Sequence, residues 1–203
     1  PNPPGPDPDP IPDPNMPPTA FFSFSPTSGL FPLAVSFNAG NSKDSDGQIT
    51  SYHWDFGDGG TGSGKTISHV YNKESRYEIV LRVTDDDSAS ATATGEVEVL
   101  GIAPPLNVQF QRYVNRNLFS IEYLYRITWN PNPRNEEVGA KIVAYKIYRR
   151  EIGKGGLNHF FTLQIGTKSS YEYLDRTLGY TERSYEYAIS AIDGAGRESV
   201  MGN

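Results

Sequence analysis

Short runs that alternate apolar and polar residues, separated by Gly, Asn, Asp and Ser, organise this chain. Between Thr19 and Gly101 they read AFFSFS, LAVSFNA, ITSYHWDF, TISHVY, YEIVLRVTD and ATATGEVEVL. A period of two places every second side chain on the same face, as in a β-strand with one buried face. No segment of useful length shows the helical period of 3.6. The pattern predicts an all-β chain.

A second series of runs follows the linker GIAPP and reads LNVQFQ, IEYLYRITW, IVAYKIYRR, HFFTLQI, SYEYLD and YEYAISAID. About 80 residues of such strands fit one antiparallel sandwich. The sequence therefore predicts two tandem immunoglobulin-like β-sandwiches, at residues 19–101 and 102–203. Because the linker is short and contains two adjacent prolines, a semi-rigid rod is expected.

The first 18 residues, PNPPGPDPDPIPDPNMPP, combine Pro with Asp. Proline fixes φ and has no N–H to donate, so residues 1–18 are predicted to be an extended, proline-rich tether. Recognition of this segment by an aromatic groove on a partner is the alternative. Tethers of this kind suit exported proteins, so we expect an extracellular or cell-surface location, with a lipid anchor upstream of Pro1 as one form of attachment.

The composition argues against several classes of function. The net charge is −6 without a basic block, which argues against nucleic acid and anionic membranes as partners. Cysteine is absent, so disulfides, Cys–zinc sites and thiol nucleophiles are excluded. No apolar run is long enough for a transmembrane segment. Because catalytic motifs such as G-x-S-x-G are also missing, the sequence predicts a protein that is not an enzyme.

The acidic, glycine-rich run WDFGDGG is compatible with a metal loop, a phosphate loop, a pair of catalytic carboxylates or a tight turn. Tyr52, Trp54 and Phe56 share one face of the preceding strand, and Asp55 points away from it. A phosphate loop would need a following helix and a well-placed lysine, and the sequence shows neither. We therefore predict a core strand followed by a turn in which Asp58 binds backbone amides.

The run YHWDFGDGG, followed by HVY and YEIVLRVTDDDS, resembles the PKD domain family from Asn15 to Gly101. This resemblance implies an immunoglobulin-like sandwich found in surface-layer and adhesion proteins and as an accessory module of bacterial proteases and chitinases. From Ala103 to Asn203 the chain resembles a fibronectin type III domain. That resemblance implies that Trp129 is the core Trp of the second strand, and that Leu178 and Tyr185 are the late-strand Leu and the tyrosine-corner residue.

The run NSKDSDGQ is the best candidate for a metal site. Asp44 and Asp46 bracket a turn that resembles the start of a calcium loop, although the later ligands of an EF-hand are missing. In an immunoglobulin-like sandwich this loop shares one pole with Asn15 and with the acidic run that begins at Asp85. The resemblance to PKD domains of bacterial collagenases implies calcium as a cofactor at Asn15, Asp44, Asp46 and Asp85. Solvated turn acids are the alternative.

Two further features predict protein contacts. A long hairpin is predicted to turn at residues 115–117, with apolar side chains near its tip: Tyr113, Val114, Leu118 and Phe119. Apolar residues on a protruding tip indicate a contact surface, and the alternative is that they cap the sandwich end or pack against the neighbouring domain. After Ser199 only VMGN remains, too little for a full last strand. The sheet edge near Val200 is therefore expected to accept a partner strand.

These features together predict an exported structural or adhesive module that spaces or mediates protein–protein contacts, including self-association in a bacterial surface assembly. The alternative is a calcium-dependent accessory module of a secreted polysaccharide- or protein-degrading enzyme, with a polysaccharide or fibrous protein as its ligand. A glycan-binding face would need exposed planar aromatic rings. Both Trp residues are assigned to cores, although Tyr can also stack on sugars.

Overall fold

The computed structural model describes residues 14–116, 118–178 and 183–202. The chain divides into two compact units, Pro1–Val99 and Leu100–Asn203. Most of the predicted tether, residues 1–13, lies outside the described residues. Its last residues do not behave as a free tether, because Asn15 and Met16 make hydrogen bonds to the first unit and Pro18 is buried.

The first unit consists of two sheets that pack face to face. Its strands are β1 (Ser23–Ser25), β2 (Ser28–Leu30), β3 (Leu33–Asn38), β4 (Ile49–Asp55), β5 (Thr61–Ser63), β6 (Thr66–Tyr71), β7 (Ser75–Asp85) and β8 (Ser90–Leu100). One sheet has the order β1-β3-β6, and the other has the order β2-β8-β7-β4-β5. Antiparallel pairing joins β3 to its two neighbours and β7 to its two neighbours.

The core of the first unit forms where the inward faces of these sheets meet. Trp54 has none of its surface exposed, and Phe56 is also buried, which confirms the predicted apolar stripe. The Phe37 ring, from the opposite sheet, lies 5.5 Å from the Trp54 ring, centroid to centroid. The indole N–H of Trp54 donates to the Gly64 carbonyl at 2.9 Å, so the buried polar atom is satisfied.

Over its described residues, the second unit is also built from strands, with one four-residue helix. Its elements are β9 (Leu106–Arg116), β10 (Ile121–Asn130), α1 (Arg134–Glu137), β11 (Ile142–Glu151), β12 (Asn158–Gln164), β13 (Tyr171–Asp175) and β14 (Tyr185–Asp193). The sheet orders are β13-β10-β9 and β12-β11-β14. The described part of the chain contains no helix with the length and hydrophobicity that crossing a membrane requires.

An aromatic cluster fills the core of the second unit. Trp129 is 1% exposed, as predicted, and its ring packs against the rings of Tyr145 and Tyr171. Leu178 is buried as well. The prediction for Tyr185 needs correction, because the buried tyrosine whose hydroxyl is held in place is Tyr187. Both residues lie on one face of β14, but Tyr185 is the first residue of the strand and stays partly exposed.

Two predictions about the ends of strands are wrong. The hairpin ladder continues to the pair Arg116 and Ile121, so Asn115 and Arg116 belong to β9 and not to a turn. The edge of β14 is also less open than predicted. The N–H of Ser199 donates to the Ala191 carbonyl at 2.9 Å, and the N–H of Gly202 donates to the Ile189 carbonyl at 2.8 Å. The last residues therefore cover this part of the edge themselves, although Val200 stays exposed.

A carboxylate fastens these last residues to the sheet. Glu198 accepts hydrogen bonds from Lys146 Nζ at 2.6 Å and from Ser190 Oγ at 2.5 Å. It also accepts one from the Tyr148 hydroxyl. Burial would raise the pKa of Glu198, but the hydrogen bonds from Lys146 and Ser190 outweigh burial and lower the pKa. Glu198 thus remains ionised and bound at neutral pH.

Candidate functional site

Three segments meet at one pole of the first unit: the residues before β1, the loop between β3 and β4, and the turn between β7 and β8. Asp85, the last residue of β7, is 2% exposed. Its Oδ1 accepts the N–H groups of Asp87 at 3.1 Å and Ala89 at 2.7 Å, which fixes the turn. Its Oδ2 accepts Asn15 Nδ2 at 3.2 Å, so Asp85 also holds the entering chain.

The loop between β3 and β4 contacts both neighbouring segments. Asp46 Oδ2 accepts the N–H of Met16 at 2.8 Å. Asp86 Oδ1 accepts the N–H of Gln48 at 3.0 Å. Asp86 is absent from the ligand set inferred from the sequence, although it stands beside Asp85 in the acidic run. The structure brings Asn15, Asp46 and Asp85 to one pole, and it adds Asp86.

Asp44 is the unusual member of this group. Both of its carboxylate oxygens are buried, and neither has a hydrogen-bond partner. Burial raises the pKa of the Asp44 carboxyl, and the nearby charges of Asp46 and Asp85 raise the pKa further. A buried carboxylate without a donor is costly, and neighbouring carboxylates add repulsion. A proton or a cation at Asp44 would remove this repulsion.

Gly47 allows this close approach. A Cβ atom at this position would lie 2.9 Å from Asp44 Oδ2 and 2.3 Å from Asp86 Oδ1. Both distances are too short for a carbon atom, so a side chain here would push the two carboxylates away. The glycine is thus needed for the loop to bring Asp44 and Asp86 together.

The donor set fits a hard cation in its chemistry. Calcium prefers carboxylate and amide oxygens, and the free oxygens of Asp44 are ligands of this kind. Within the described ranges, no group of three or more His, Cys, Asp or Glu side chains is already arranged to hold a metal ion. Oxygens of Asp46 and Asp85 accept hydrogen bonds from Met16 and Asn15. Asp44, with Asp46, Asp85 and Asn15, would hold the ion, which would supply the positive charge that Asp44 lacks.

The run WDFGDGG forms a turn, as predicted. Asp55 Oδ1 accepts the N–H of Gly57 at 2.9 Å, and Asp58 Oδ1 accepts the N–H of Gly60 at 2.9 Å. Sequence reasoning missed that His69 Nε2 donates to Asp58 Oδ2 at 2.7 Å. One signal could have indicated that His69 faces inward. The alternation along TISHVY places His69 on the same face of the strand as the buried Tyr71.

The His69 ring packs against aromatic residues of the core. It stacks on Phe56 with the centroids 4.2 Å apart. Burial would raise the pKa of Asp58, but the hydrogen bonds from His69 and from the Gly60 N–H lower the pKa below its ordinary value. The pair therefore ties the turn to β6 as long as Asp58 is ionised.

The four residues predicted at the hairpin tip do not form one surface. Leu118 and Phe119 are 94% and 96% exposed in the turn. Tyr113 and Val114 are neighbours in β9, so they point to opposite faces of the sheet. The Tyr113 hydroxyl donates to Gln111 Oε1 at 2.8 Å. Leu118 and Phe119 are thus the most exposed of the four residues predicted at the tip. Val200, also exposed, lies between Ser199 and Gly202, whose N–H groups donate to β14.

Comparison with known families identifies the first unit. Residues 15–99 match the family model described as PKD domain. The first unit is a PKD domain. A segment of 80 residues is 36% identical to "Collagenase ColA" of Clostridium perfringens and covers 39% of this chain and 7% of that protein. A segment of 74 residues is 40% identical to "Collagenase ColQ1" of Bacillus cereus and covers 36% of this chain and 8% of that protein.

A solved structure matches the same part of the chain. The crystal structure of the PKD1 domain from Vibrio cholerae metalloprotease PrtV is 36% identical, with a TM-score of 0.38. The match covers 41% of this chain and 98% of that structure. The matching segments thus span less than a tenth of the length of the two collagenases, and their shared part is the PKD domain.

Proposed function

We propose that this chain is a non-catalytic accessory segment of a secreted bacterial protein-degrading enzyme, and that it acts outside the cell. The observation that carries this proposal is the match of its PKD domain to two collagenases, of which it covers only 7% and 8%. A shared segment of this size is a module of a larger protein. Collagen, the substrate in the names of these relatives, makes a fibrous protein the expected ligand.

Binding to collagen fibrils tests this role. The chain is expected to sediment with insoluble collagen fibrils and to leave the fibril pellet when soluble collagen is added in excess. A chain that stays in the supernatant at every fibril concentration would contradict the proposal. Insoluble cellulose, used in parallel, tests the polysaccharide alternative. That alternative would rest on Tyr side chains, because Trp54 and Trp129 are both buried.

The PKD domain is proposed to bind one calcium ion at Asp44. The support is the pair of buried Asp44 oxygens without a hydrogen-bond donor, beside the charges of Asp46 and Asp85. A bound cation stabilises only the folded state, by about 2.7 kcal/mol when free calcium is a hundredfold above its dissociation constant. Scanning calorimetry with and without calcium is expected to show this shift in the first unit alone.

A matched pair of variants makes this measurement specific. Asp44→Asn is expected to abolish the calcium shift. Glu78→Gln makes the same change in charge at an exposed position of β7, and its calcium shift is expected to equal that of the wild type. If calcium stabilises Asp44→Asn as much as it stabilises the wild type, the ion binds elsewhere.

The second unit is proposed to be a fibronectin type III domain. Its support is the pair of three-stranded sheets, the buried Trp129 in the second strand and the pairing of residues 198–202 with β14. As a domain with its own core, it is expected to unfold in a transition separate from that of the PKD domain. A single calorimetric transition that moves as a whole with calcium would contradict this division.

A second candidate function is the spacing or joining of proteins in a surface assembly. The observation that favours it is the almost complete exposure of Leu118 and Phe119 in the hairpin turn. Self-association through this turn would appear in sedimentation velocity as a concentration-dependent dimer. The double variant Leu118→Ser/Phe119→Ser is expected to be monomeric, while Val70→Ser, an exposed apolar position of the PKD domain, is expected to behave as the wild type. A wild-type monomer at all concentrations excludes self-association.

A further inference from the structure

An open depression of about 650 Å³ lies on the outer face of the three-stranded sheet of the PKD domain. It is lined by residues 23–25 of β1, 36–38 of β3 and 66–68 of β6, and none of these residues is charged. Alternation turns the middle residue of each segment towards the core. The exposed side chains of the lining are Ser23, Ser25, Ser36, Asn38, Thr66 and Ser68.

Strand pairing arranges these six side chains in two rows across the sheet. One row is Ser25, Ser36 and Ser68, and the other is Ser23, Asn38 and Thr66. Since neighbouring strands lie about 4.8 Å apart, each row presents three short polar groups within about 10 Å. Ser36 stands in the middle of its row, and the exposed side chains of Ala34 and Val70 continue the uncharged surface beyond it.

The polar groups of this face have unused hydrogen-bonding capacity. No Ser or Thr hydroxyl of the two rows bonds to another described residue. Asn38 Oδ1 accepts the N–H of Gly40 at 2.7 Å, and its Nδ2 has no partner within the described part of the chain. A hydroxyl can both donate and accept. The face thus offers donors and acceptors without any fixed charge.

The outer face of the other sheet of this domain is different. There Arg76 forms ion pairs with Glu96 at 3.3 Å and with Glu98 at 3.0 Å, and Glu78 and Arg82 lie on the same face. Covering charged groups is costly, and long side chains lose more rotamer freedom than short ones when they are covered. Of the two outer faces, the uncharged face of β1, β3 and β6 is therefore the one that a partner can cover at low cost.

The chemistry of this face restricts the kind of partner. The energy of protein–protein contacts comes mainly from Trp, Tyr and Arg, and serine is depleted in such contacts. The lining contains none of these three residue types. It also has no cation for an anionic ligand. An uncharged polymer that can form hydrogen bonds along its length fits the face better.

Collagen has these properties over its uncharged triplets. Its chains repeat Gly-X-Y, in which proline and hydroxyproline are frequent, and the three chains wind into one straight rod. Proline has no N–H, so carbonyl and hydroxyl oxygens dominate the polar surface of such triplets. Serine and threonine hydroxyls can donate to these oxygens, and short side chains let the rod approach the sheet.

We propose that a collagen triple helix docks on this face, with Ser36 at the centre of the contact. The hydroxyls of the two rows donate to carbonyl and hydroxyl oxygens of uncharged triplets. This inference rests on the accessory role proposed above and deepens it by naming the surface that binds the fibre. The face shares no residue with the calcium pole.

Sedimentation of the full chain with insoluble collagen fibrils tests the face. Ser36→Lys and Ser36→Glu each place a long charged group in the middle of it, and each is expected to weaken binding at least about tenfold, because that charge would have to be covered. Thr94→Lys and Thr94→Glu make the same additions at an exposed position of β8, on the outer face of the other sheet. Both are expected to bind fibrils as the wild type does.

A third variant tests the hydroxyls themselves. Ser25→Ala/Ser36→Ala/Ser68→Ala removes three hydroxyls and leaves the face short and uncharged. It is expected to weaken binding about tenfold, the combined effect of three modest hydrogen bonds. Because all three positions are exposed, calorimetry is expected to show the wild-type transition of the PKD domain. Unchanged fibril binding by this variant would overturn the proposal.

The outcomes separate this inference from the accessory role. A wild-type chain that does not sediment with fibrils would contradict both. If the wild type binds and both Ser36 variants bind equally well, the accessory role stands and the docking face is overturned. A loss in only one Ser36 variant would reflect the net charge of the fibril and would also overturn it. Binding to insoluble cellulose that the Ser36 variants lose, with collagen binding unchanged, would assign the face to a polysaccharide instead.

Discussion

Asp175 and Tyr187 are joined in the interior of the second unit, where the Tyr187 hydroxyl donates to Asp175 Oδ2 at 2.7 Å. Asp175 is completely buried, and Arg149 Nη1 reaches the same oxygen at 2.7 Å. The other oxygen accepts the N–H and the hydroxyl of Thr177. The buried Asp175 carboxylate thus accepts hydrogen bonds from several donors. It joins the end of β13, the start of β14 and Arg149 of β11 in a single network.

We expect Asp175→Ala to destabilise the second unit by about 3–5 kcal/mol, because it leaves the Arg149 charge and the Tyr187 hydroxyl without their partner. Glu172→Ala removes an exposed ion pair with Arg126 and is expected to cost at most about 1 kcal/mol. Urea unfolding of both variants checks the difference. Equal costs would show that the network does not act as a buried unit.

The same network has a pH dependence of definite sign. Burial would raise the pKa of Asp175, but the hydrogen bonds from Thr177, Tyr187 and Arg149 outweigh it and lower the pKa. A lowered pKa in the folded state means that the stabilisation is complete above the unfolded value of about 3.9 and is lost as pH falls through the folded value. The second unit of Asp175→Asn is expected to lose less stability than the wild type below pH of about 4. Parallel acid unfolding curves would contradict this.

Asp44 is expected to show the opposite sign when calcium is absent. Its pKa is raised in the folded state, first by burial and then by Asp46, so the folded protein takes up its proton at a higher pH than the unfolded chain does. Without calcium, Asp44→Asn is therefore expected to stabilise the PKD domain at neutral pH. With saturating calcium the same variant is expected to be less stable than the wild type. An effect of the same sign in both conditions, measured by calorimetry, would contradict a cation site at Asp44.

The Asp58–His69 pair is expected to stabilise the PKD domain through the turn after β4. Removing the carboxylate in Asp58→Ala leaves the Gly60 N–H and His69 without their acceptor, at a cost of about 1–3 kcal/mol. Because the pKa of Asp58 is lowered, this contribution is present at neutral pH and disappears as pH falls through the folded pKa, below about 3.9. Urea unfolding at neutral and acid pH measures both effects. A variant as stable as the wild type at neutral pH would show that the turn does not need the pair.

Two glycines of the same turn are expected to differ in their tolerance of alanine. Gly59 has a φ of +91°, and a Cβ there would meet no atom within 4 Å. Gly59→Ala should thus cost only the left-handed strain, about 1–2 kcal/mol. Gly57 has a φ of +78°, and its Cβ would lie 2.4 Å from the backbone oxygen of Glu78. Gly57→Ala is expected to cost clearly more, and thermal unfolding of the two variants compares them directly.

Removal of either tryptophan is expected to destabilise only its own unit, by about 3–5 kcal/mol, the usual cost of deleting a large core aromatic side chain. Trp54→Ala should affect the PKD domain and Trp129→Ala the second unit, since the two residues lie in separate cores. Calorimetry separates the two transitions. A Trp129→Ala variant whose first unit melts earlier would contradict the separation.

Strands and core residues were largely predictable because alternation reports directly which side chains face inward. Trp54, Phe56 and Trp129 are where a period of two places them. The turn at WDFGDGG was predictable for a similar reason, since glycines and Asp58 have strong local preferences. These features depend on residues that are only a few positions apart in the chain, so they can be predicted from the sequence.

The rest depended on contacts between distant residues. His69 meets Asp58 only because β6 passes beside the turn, and Asp86 reaches Gln48 across 38 positions of sequence. Asp44 lacks a hydrogen-bond donor because of the conformation of the loop between β3 and β4, and the amino-acid composition does not determine that conformation. The predicted position of the hairpin turn was wrong because strand pairing includes Asn115 and Arg116, two of the residues whose polarity indicated a turn.

The placement of one tryptophan in each core has a practical consequence. The chain contains two Trp residues, Trp54 in the first unit and Trp129 in the second. Each is shielded from water, so its fluorescence emission will move to longer wavelength when its own unit opens. Replacing one Trp with Phe leaves a single Trp, and its emission under Trp-selective excitation then reports the unfolding of its own domain within the intact chain.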